Sequence, residues 1–239
     1  MQFARIEWRE NKGTNLPYSL DFNDVYFNTE DGLDETEYVF IAHNQLQQRF
    51  SEPNLRNFTV LETGFGTGLN FLAVSALWLQ LAPKYATLQY IGIEKTPLSL
   101  ADFTRAHALW PQFTEVSQAL ITQYTSLKIG TNRFHLAAGR IQLVLQVDDI
   151  LPALSQLVHI ADAWLLDGFA PAKNAAMWSS EVFTRMSRLS KTGTTFATFT
   201  SAGLVKRGLQ SVGFEVRKHK GFGKKREMLS GIFKGKPGD

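Results

Sequence analysis

Four carboxylates at the ends of apolar runs, Glu62, Glu94, Asp149 and Asp167, are the groups in this chain best placed to do chemistry. The first belongs to Phe58-Thr-Val-Leu-Glu62-Thr-Gly64-Phe-Gly66-Thr-Gly68-Leu69-Asn70-Phe71: an apolar run, an acid, three glycines at alternate positions, then a helical pattern. Strand, glycine turn and helix start is where open α/β sheets take a nucleotide-like ligand. Side chains in the turn would hold the ligand off the backbone, and the helix start adds free N–H groups. Glu94 closes the next apolar run, Leu88-Gln-Tyr-Ile-Gly-Ile-Glu94. An acid there suits a bidentate bond to the hydroxyls of a ribose; its plainer reading is a charge at the start of the next helix. Asp148-Asp149 end the run Arg140–Val147, where an acid can receive an adenine amino group or merely cap a helix. Asp167 opens the loop Asp167-Gly-Phe-Ala-Pro-Ala-Lys-Asn174 at the carboxyl end of another run, the side of such sheets on which ligands sit.

The glycine spacing narrows the ligand. Dinucleotide binders use G-x-G-x-x-G/A, with a small third residue for close helix–strand packing. Counted from Gly64, that third position is Leu69. The pattern E-x-G-x-G-x-G instead resembles motif I of class I S-adenosylmethionine (AdoMet) methyltransferases, whose glycines face the methionine half of the cofactor. The resemblance implies a cofactor site of Glu62, Gly64, Gly66, Gly68, Asn70, Glu94 and Asp149. The Asp167 loop, a carboxylate beside an aromatic and a proline, resembles the Asp/Asn-Pro-Pro-Tyr loop of amine methyltransferases. Such a loop holds a neutral amine by its hydrogens, with the lone pair aimed at the methyl group.

The surrounding elements must position these groups. Residues 1–57 read as a cap on the sheet: strand-like Arg5–Trp8, a turn at Asn11-Lys-Gly13, a return at Tyr18–Asp21, Asp24–Asn28, and a helix over 34–49. The segment is too small and too rich in aromatic residues to stand alone. Residues 58–239 then alternate. A helix over 68–82 stops at Pro83. Thr96 and Pro97 predict the N-cap and first residue of a helix to 108, followed by another over 112–124. Arg133–Leu136 and Arg140–Val147 read as a hairpin. Strand Ala161–Asp167 precedes a helix over 175–190, and strand Gly193–Thr200 precedes one over 202–212. Phe214–Lys220 and Glu227–Lys234 close as an antiparallel pair. The result is an α/β, Rossmann-like, doubly wound and mostly parallel sheet with an antiparallel closing hairpin and an N-terminal extension. Gly235–Asp239 reads as the start of a tail or linker.

Composition sets the outer bounds. With 239 residues, 44% hydrophobic and 20% charged, the chain can bury a full α/β core and is not of the disordered type. No apolar run approaches the ~20 residues of a membrane span. The start, Met-Gln-Phe-Ala-Arg-Ile-Glu-Trp, lacks a signal pattern, and cysteine is absent, which removes disulfides and thiolate metal sites. Cytoplasmic is the expected location, with no membrane partner. The net charge of +3 is unevenly spread: residues 1–60 carry ten acids and five Lys/Arg, whereas 206–236 carry ten Lys/Arg against Glu215 and Glu227. A basic C-terminal face suits a polyanion such as nucleic acid, or is simply a solvated surface.

Longer motifs make the resemblance specific. Asp24-Val-Tyr-Phe, Gly32-Leu-Asp-Glu-Thr, Asn44-Gln-Leu, the Gly64 and Asp167 stretches, Ala197-Thr-Phe-Thr-Ser-Ala-Gly and Lys220-Gly-Phe-Gly-Lys-Lys-Arg-Glu-Met together resemble the methyltransferase domain of the MnmC family, bifunctional enzymes that modify the wobble uridine of tRNA. The likeness covers nearly the whole chain. It implies methyl transfer from AdoMet to the aminomethyl group on C5 of wobble (2-thio)uridine in the anticodon stem-loop. In the fused form a FAD-dependent oxidoreductase domain follows; this chain carries no FAD fingerprint, so it resembles the methyltransferase half. The family tends to have Gly-Asp where this chain has Asp148-Asp149, which favours Asp149 for the adenine. The resemblance further implies Asp167 on the amine, Phe169 or Tyr26 stacked on the base, and Pro171 beside it. Lys173, Lys224, Lys225 and Arg226, with Arg207, would meet phosphates. Because a sulfonium methyl is already activated, no metal is expected. Three other readings share some of these features: a small-molecule amine methyltransferase, an NAD-dependent oxidoreductase, and a non-catalytic tRNA-binding module. Leu69 disfavours the second, and the third has no use for Glu62, Glu94 and Asp167 at strand ends.

Overall fold

The computed structural model describes residues 1–27 and 31–235. Strands β1 (Ile6–Asn11), β2 (Thr14–Ser19) and β3 (Asp24–Val25) form a small antiparallel sheet of their own. Short helix α1 (Gly32–Glu35), a π-helical stretch (Thr36–Ala42) and α2 (Leu46–Phe50) lead into the main unit. There the order is β4 (Asn57–Thr63), α3 (Leu69–Leu81), β5 (Thr87–Glu94), α4 (Leu100–His107), α5 (Thr114–Tyr124), β6 (Gly130–Leu136), β7 (Ile141–Val147), α6 (Ile150–Gln156), β8 (Ala161–Leu166), α7 (Ser180–Arg188), β9 (Ser190–Thr198), α8 (Gly203–Ser211), β10 (Phe214–Lys220) and β11 (Glu227–Phe233).

The main sheet runs β10-β11-β9-β8-β4-β5-β7-β6. Its five central strands are parallel, while β6 on one edge and the β10–β11 pair on the other are antiparallel. This is the doubly wound sheet with a closing pair that the strand–helix alternation predicts. Alternation along each strand feeds two cores. Val60, Tyr90 and Leu165 face one layer with Phe71 of α3, Phe103 of α4 and Leu120 of α5; Leu61, Ile91 and Trp164 face the other with Ala153 of α6, Val182 of α7 and Leu209 of α8. Helix α3 is apolar on nearly every side because it lies between the sheet and the N-terminal helices, and an all-round apolar helix belongs in such a place.

The N-terminal segment shares the first core through Val39, Phe40, Leu46 and Phe50. Polar bonds tie it down as well. Ala4 N–H donates to Pro97 O (3.0 Å), Trp8 Nε1 to Asp102 Oδ1 (2.9 Å), and Arg49 to Asp162 O (3.0 Å) and Thr195 Oγ1 (2.8 Å).

Several boundaries differ from the expected ones: the return strand of the first hairpin is Thr14–Ser19 rather than 18–21, and the strand expected from Arg133 begins at Gly130. The helix over 34–49 is broken: its middle is π-helical, and Gln45 in the left-handed region starts α2 afresh. Helix α4 begins at Leu100 rather than 97, because Ser99, not Thr96, caps it by accepting from Asp102 N–H. The helix over 175–190 splits into a 3-10 turn (Ala175–Trp178) and α7, capped by Ser179. Strand β9 starts at Ser190 and stops at Thr198, earlier than 193–200 at both ends. Asn28 and 236–239, part of the expected tail, lie outside the described residues.

Candidate active site

Strands β4 and β8 lie side by side, with Thr63 opposite Leu166. Beyond them the chain departs in opposite directions, from β4 toward β5 and from β8 toward β9. That divergence is the topological switch point, where such sheets bind ligands. The two loops are joined there: Thr63 Oγ1 donates to Asp167 O (3.0 Å). Gly64, at φ +76°, presses so closely on the second loop that a Cβ would lie 2.6 Å from Gly168 Cα. Gly64 and Phe65 both donate their N–H to Ile93 O (3.0 Å each). Below the turn, His107 bonds Thr67 O (3.0 Å) and Ser117 Oγ (2.8 Å). Burial pushes its pKa down to about 4, so it braces the loop as a neutral imidazole.

Asn70, in the first turn of α3, is the hub of the site. Its Nδ2 donates to Glu62 Oε1 (2.7 Å) and Asp167 Oδ2 (2.7 Å), and its Oδ1 accepts from Thr36 Oγ1 (2.7 Å). Glu62 is fully buried, and its other oxygen accepts from Tyr90 Oη (2.9 Å). Desolvation, then the charge of Asp167, holds the Glu62 pKa well above the usual carboxylate range. Asp167 also accepts from Gly168 N–H (2.7 Å). Desolvation pushes its pKa up to about 7; Glu35 adds to the rise, while the Gly168 and Asn70 bonds and Lys225 oppose it.

A cavity of about 350 Å³ opens above this cluster, within the ~300–1,000 Å³ range of small-molecule sites. Gly64, Gly66, Asn70, Glu94, Asp149 and Asp167 line it. Glu94 spans the glycine turn, accepting from Gly66 N–H (2.9 Å) and Thr96 N–H (3.0 Å); burial raises its pKa against those two bonds. Asp149 occupies the N-cap position of α6 without making a side-chain cap bond, and pairs with Lys95 Nζ (2.7 Å) instead. Asp148 lines the same cavity and accepts from Asp149 N–H. Two residues grouped with the cofactor from sequence stand back from the wall. Glu62 braces Asn70 and Tyr90 from beneath, and Gly68 starts α3 against Phe65.

A second, more open groove of about 510 Å³ adjoins the first. Tyr26, Glu35, Asp167 and Phe199 line both, so they stand where the two meet. Tyr26 packs edge-on to Phe169 (5.4 Å), and burial raises its pKa, which keeps the phenol protonated. Phe22 stacks on Phe169 (4.4 Å between centroids), so one face of the ring expected to meet a base already carries an aromatic partner. Lys173 lines the groove and fastens the cap, pairing with Asp24 (3.1 Å) and donating to Asn23 O (2.6 Å). Lys224 and Lys225 line it too, and Lys225 pairs there with Glu35 (2.7 Å). Pro171 and Arg226 are not among the described residues lining either space. Among the residues that sequence reasoning left without a role are Glu35, Thr36, Phe22, Tyr90, His107 and Phe199. The first two sit inside the Gly32-Leu-Asp-Glu-Thr motif, the one signal that pointed toward them.

Known proteins resemble this chain in sequence and in fold. The chain is 51% identical, over 96% of its length, to a protein of Methylobacillus flagellatus named tRNA 5-methylaminomethyl-2-thiouridine biosynthesis bifunctional protein MnmC. It is 46% identical over 98% to the protein of the same name from Ectopseudomonas mendocina. It spans 35% of the length of each. Among solved structures, the fold resembles MNMC2 from Aquifex aeolicus (TM-score 0.75, 17% identity, 99% of this chain and 73% of that one). Spermidine synthase from Thermotoga maritima shares the fold more loosely (TM-score 0.53, 14% identity, 98% and 70%). A family described as S-adenosyl-L-methionine-dependent methyltransferase matches residues 111–234, from before α5 through β11 and so including the Asp167 loop. That match takes in just over half of the sequence, and the chain belongs to this methyltransferase family.

Proposed function

We propose that the enzyme methylates the amine of 5-aminomethyl-(2-thio)uridine at the wobble position of tRNA, giving 5-methylaminomethyl-(2-thio)uridine. The observation that carries this reading is the junction at Asp167: a cavity and a more open groove meet at that carboxylate and Glu35, beside aromatic side chains. The names of relatives 46–51% identical over nearly the whole chain support the substrate. Those relatives are called bifunctional, and this chain spans about a third of their length. We assign a FAD-dependent oxidoreductase activity, which would supply the aminomethyl group, to the part beyond it. The reading also places the enzyme with its tRNA in the cytoplasm; no helix among the described residues is long and apolar enough to cross a membrane.

The cavity suits AdoMet. Its glycine turn packs too tightly for side chains at Gly64 and Gly66: a Cβ on Gly64 would strike Gly168, and one on Gly66 would press on Tyr26 at 3.3 Å. Glu94 would take the ribose and Asp149 the adenine, each keeping oxygen lone pairs beyond its present bonds. Bound there, AdoMet supplies a methyl group already activated on a sulfonium.

The protein's part is to position the amine and remove its proton. A primary alkylamine is mostly an ammonium at neutral pH, as lysine with its pKa near ~10.4 illustrates. An ordinary carboxylate is a poor acceptor for that proton. Raising Asp167 to about 7 makes the transfer easier by on the order of 4 kcal/mol. Asn70 holds one Asp167 oxygen and Gly168 the other, so the carboxylate is fixed in orientation.

The test is transfer of labelled methyl from AdoMet to anticodon stem-loop RNAs carrying either 5-aminomethyluridine or uridine. Label on the aminomethyl RNA alone supports the reading. Equal label on both, or faster transfer to free small amines, would overturn it.

A further inference from the structure

The Glu35–Lys225 pair lies where the cavity meets the groove. Lys225 Nζ is 2.7 Å from Glu35 Oε1 and stands over the Phe199 ring, 4.3 Å from its centroid. Glu35 is nearly buried, its side chain 11% exposed, whereas that of Lys225 is 41% exposed. Glu35 shares both linings with Asp167. At this junction, then, an alkylammonium is already held by a carboxylate and an aromatic face. The acceptor proposed above is also an alkylammonium.

We propose that Glu35 and Phe199 form the subsite that receives the acceptor's ammonium, and that Lys225 occupies it until the acceptor arrives. The proposal rests on the wobble-amine reading and names the group that recognises the amine. A buried carboxylate left without a cation is costly, so Lys225 can be released only to a replacement of the same charge. A neutral group of similar size, such as a hydroxymethyl, cannot take its place without stranding Glu35. Selectivity for the amine thus comes from the penalty on the wrong group as much as from attraction to the right one. The exchange of Lys225 for the acceptor changes no covalent bond; the ammonium then held at Glu35 would stand beside Asp167, to which it gives its proton, an N–H bond breaking as an O–H bond forms.

Binding of two anticodon stem-loop RNAs, identical except for aminomethyl or hydroxymethyl on C5 of the wobble uridine, tests this. It is measured by fluorescence polarisation with S-adenosylhomocysteine present, so that no turnover occurs. The ratio of the two affinities cancels phosphate contacts and any general loss of folded protein. Wild type should prefer the amine by about ten- to a hundredfold, as a charged hydrogen bond implies. Glu35→Gln should bring the ratio to within about twofold, whereas Lys225→Ala, which removes the competing cation, should raise it several-fold. A Glu35→Gln ratio equal to wild type, or a Lys225→Ala ratio unchanged or lowered, would overturn the proposal. If wild type transfers no methyl to the aminomethyl RNA, the functional reading itself has failed. If it does while the ratios stay flat, only the subsite has.

Discussion

Asp167 concentrates the residue-scale consequences. A carboxylate raised to about 7 is protonated, and unable to accept a proton, on the acid side of that value. kcat/KM should therefore fall as pH drops through about 7, reporting the free enzyme. Asp167→Asn should lower kcat by about 10²–10⁴-fold and erase that limb, while AdoMet affinity by calorimetry changes only a few-fold. Glu94→Ala should weaken AdoMet by about 1.5–3 kcal/mol in the same calorimetry, and tighter binding of NAD than of AdoMet would refute the cofactor assignment. Glu62 bears on stability. Its folded pKa is raised, so the native state holds a proton that the unfolded chain releases near its ordinary value of 4.5. The associated stability is present below that value and lost as pH rises. Glu62→Gln keeps partners for Asn70 and Tyr90 without a charge, so its melting temperature should fall less than wild type's between about pH 5 and pH 8. The strand-end acids were legible in sequence because an acid that ends an apolar run stands out. That Glu62 would brace Asn70 from beneath was not, since strand alternation does not tell a wall from its support.

Among the elements, the site depends on how closely the β4 and β8 loops approach. Gly64→Ala would need both a positive φ and 2.6 Å of room against Gly168, so it should cost about 2–4 kcal/mol in urea unfolding and abolish AdoMet binding. Gly13, also at positive φ but with nothing within 4 Å, isolates the backbone part: Gly13→Ala should cost only about 1 kcal/mol. Strand order followed from the alternation of apolar runs and helical stretches. Helix starts did not, because Thr96-Pro97 and Ser99 are both acceptable caps and the contacts of the β5–α4 connection select Ser99. The break at Gln45 was equally hidden, as its neighbours keep a helical pattern. So was the pairing of Lys225 with Glu35, since a charge run says nothing of which lysine meets a buried partner.

For the molecule as a whole, the basic loop between β10 and β11 borders the open groove through Lys224 and Lys225. If it holds RNA, changing Lys224 and Arg226 to Ala should weaken tRNA binding and flatten the log–log salt slope by about one unit or more, at about 0.7 per single-strand contact. The fold class, the glycine turn after β4 and the Asp167 loop could be read along the chain because each is local. The junction of cavity and groove could not, since it joins side chains from the N-terminal segment, the loops after β8 and β9, and the last loop. The most direct measurement of the central claim is mass spectrometry of nucleosides from tRNA bearing 5-aminomethyl-(2-thio)uridine, after incubation with the protein and AdoMet. The expected result is loss of the aminomethyl nucleoside and appearance of its singly methylated form, at the wobble position and nowhere else. An unchanged wobble nucleoside, or a methyl found at another position, would contradict it.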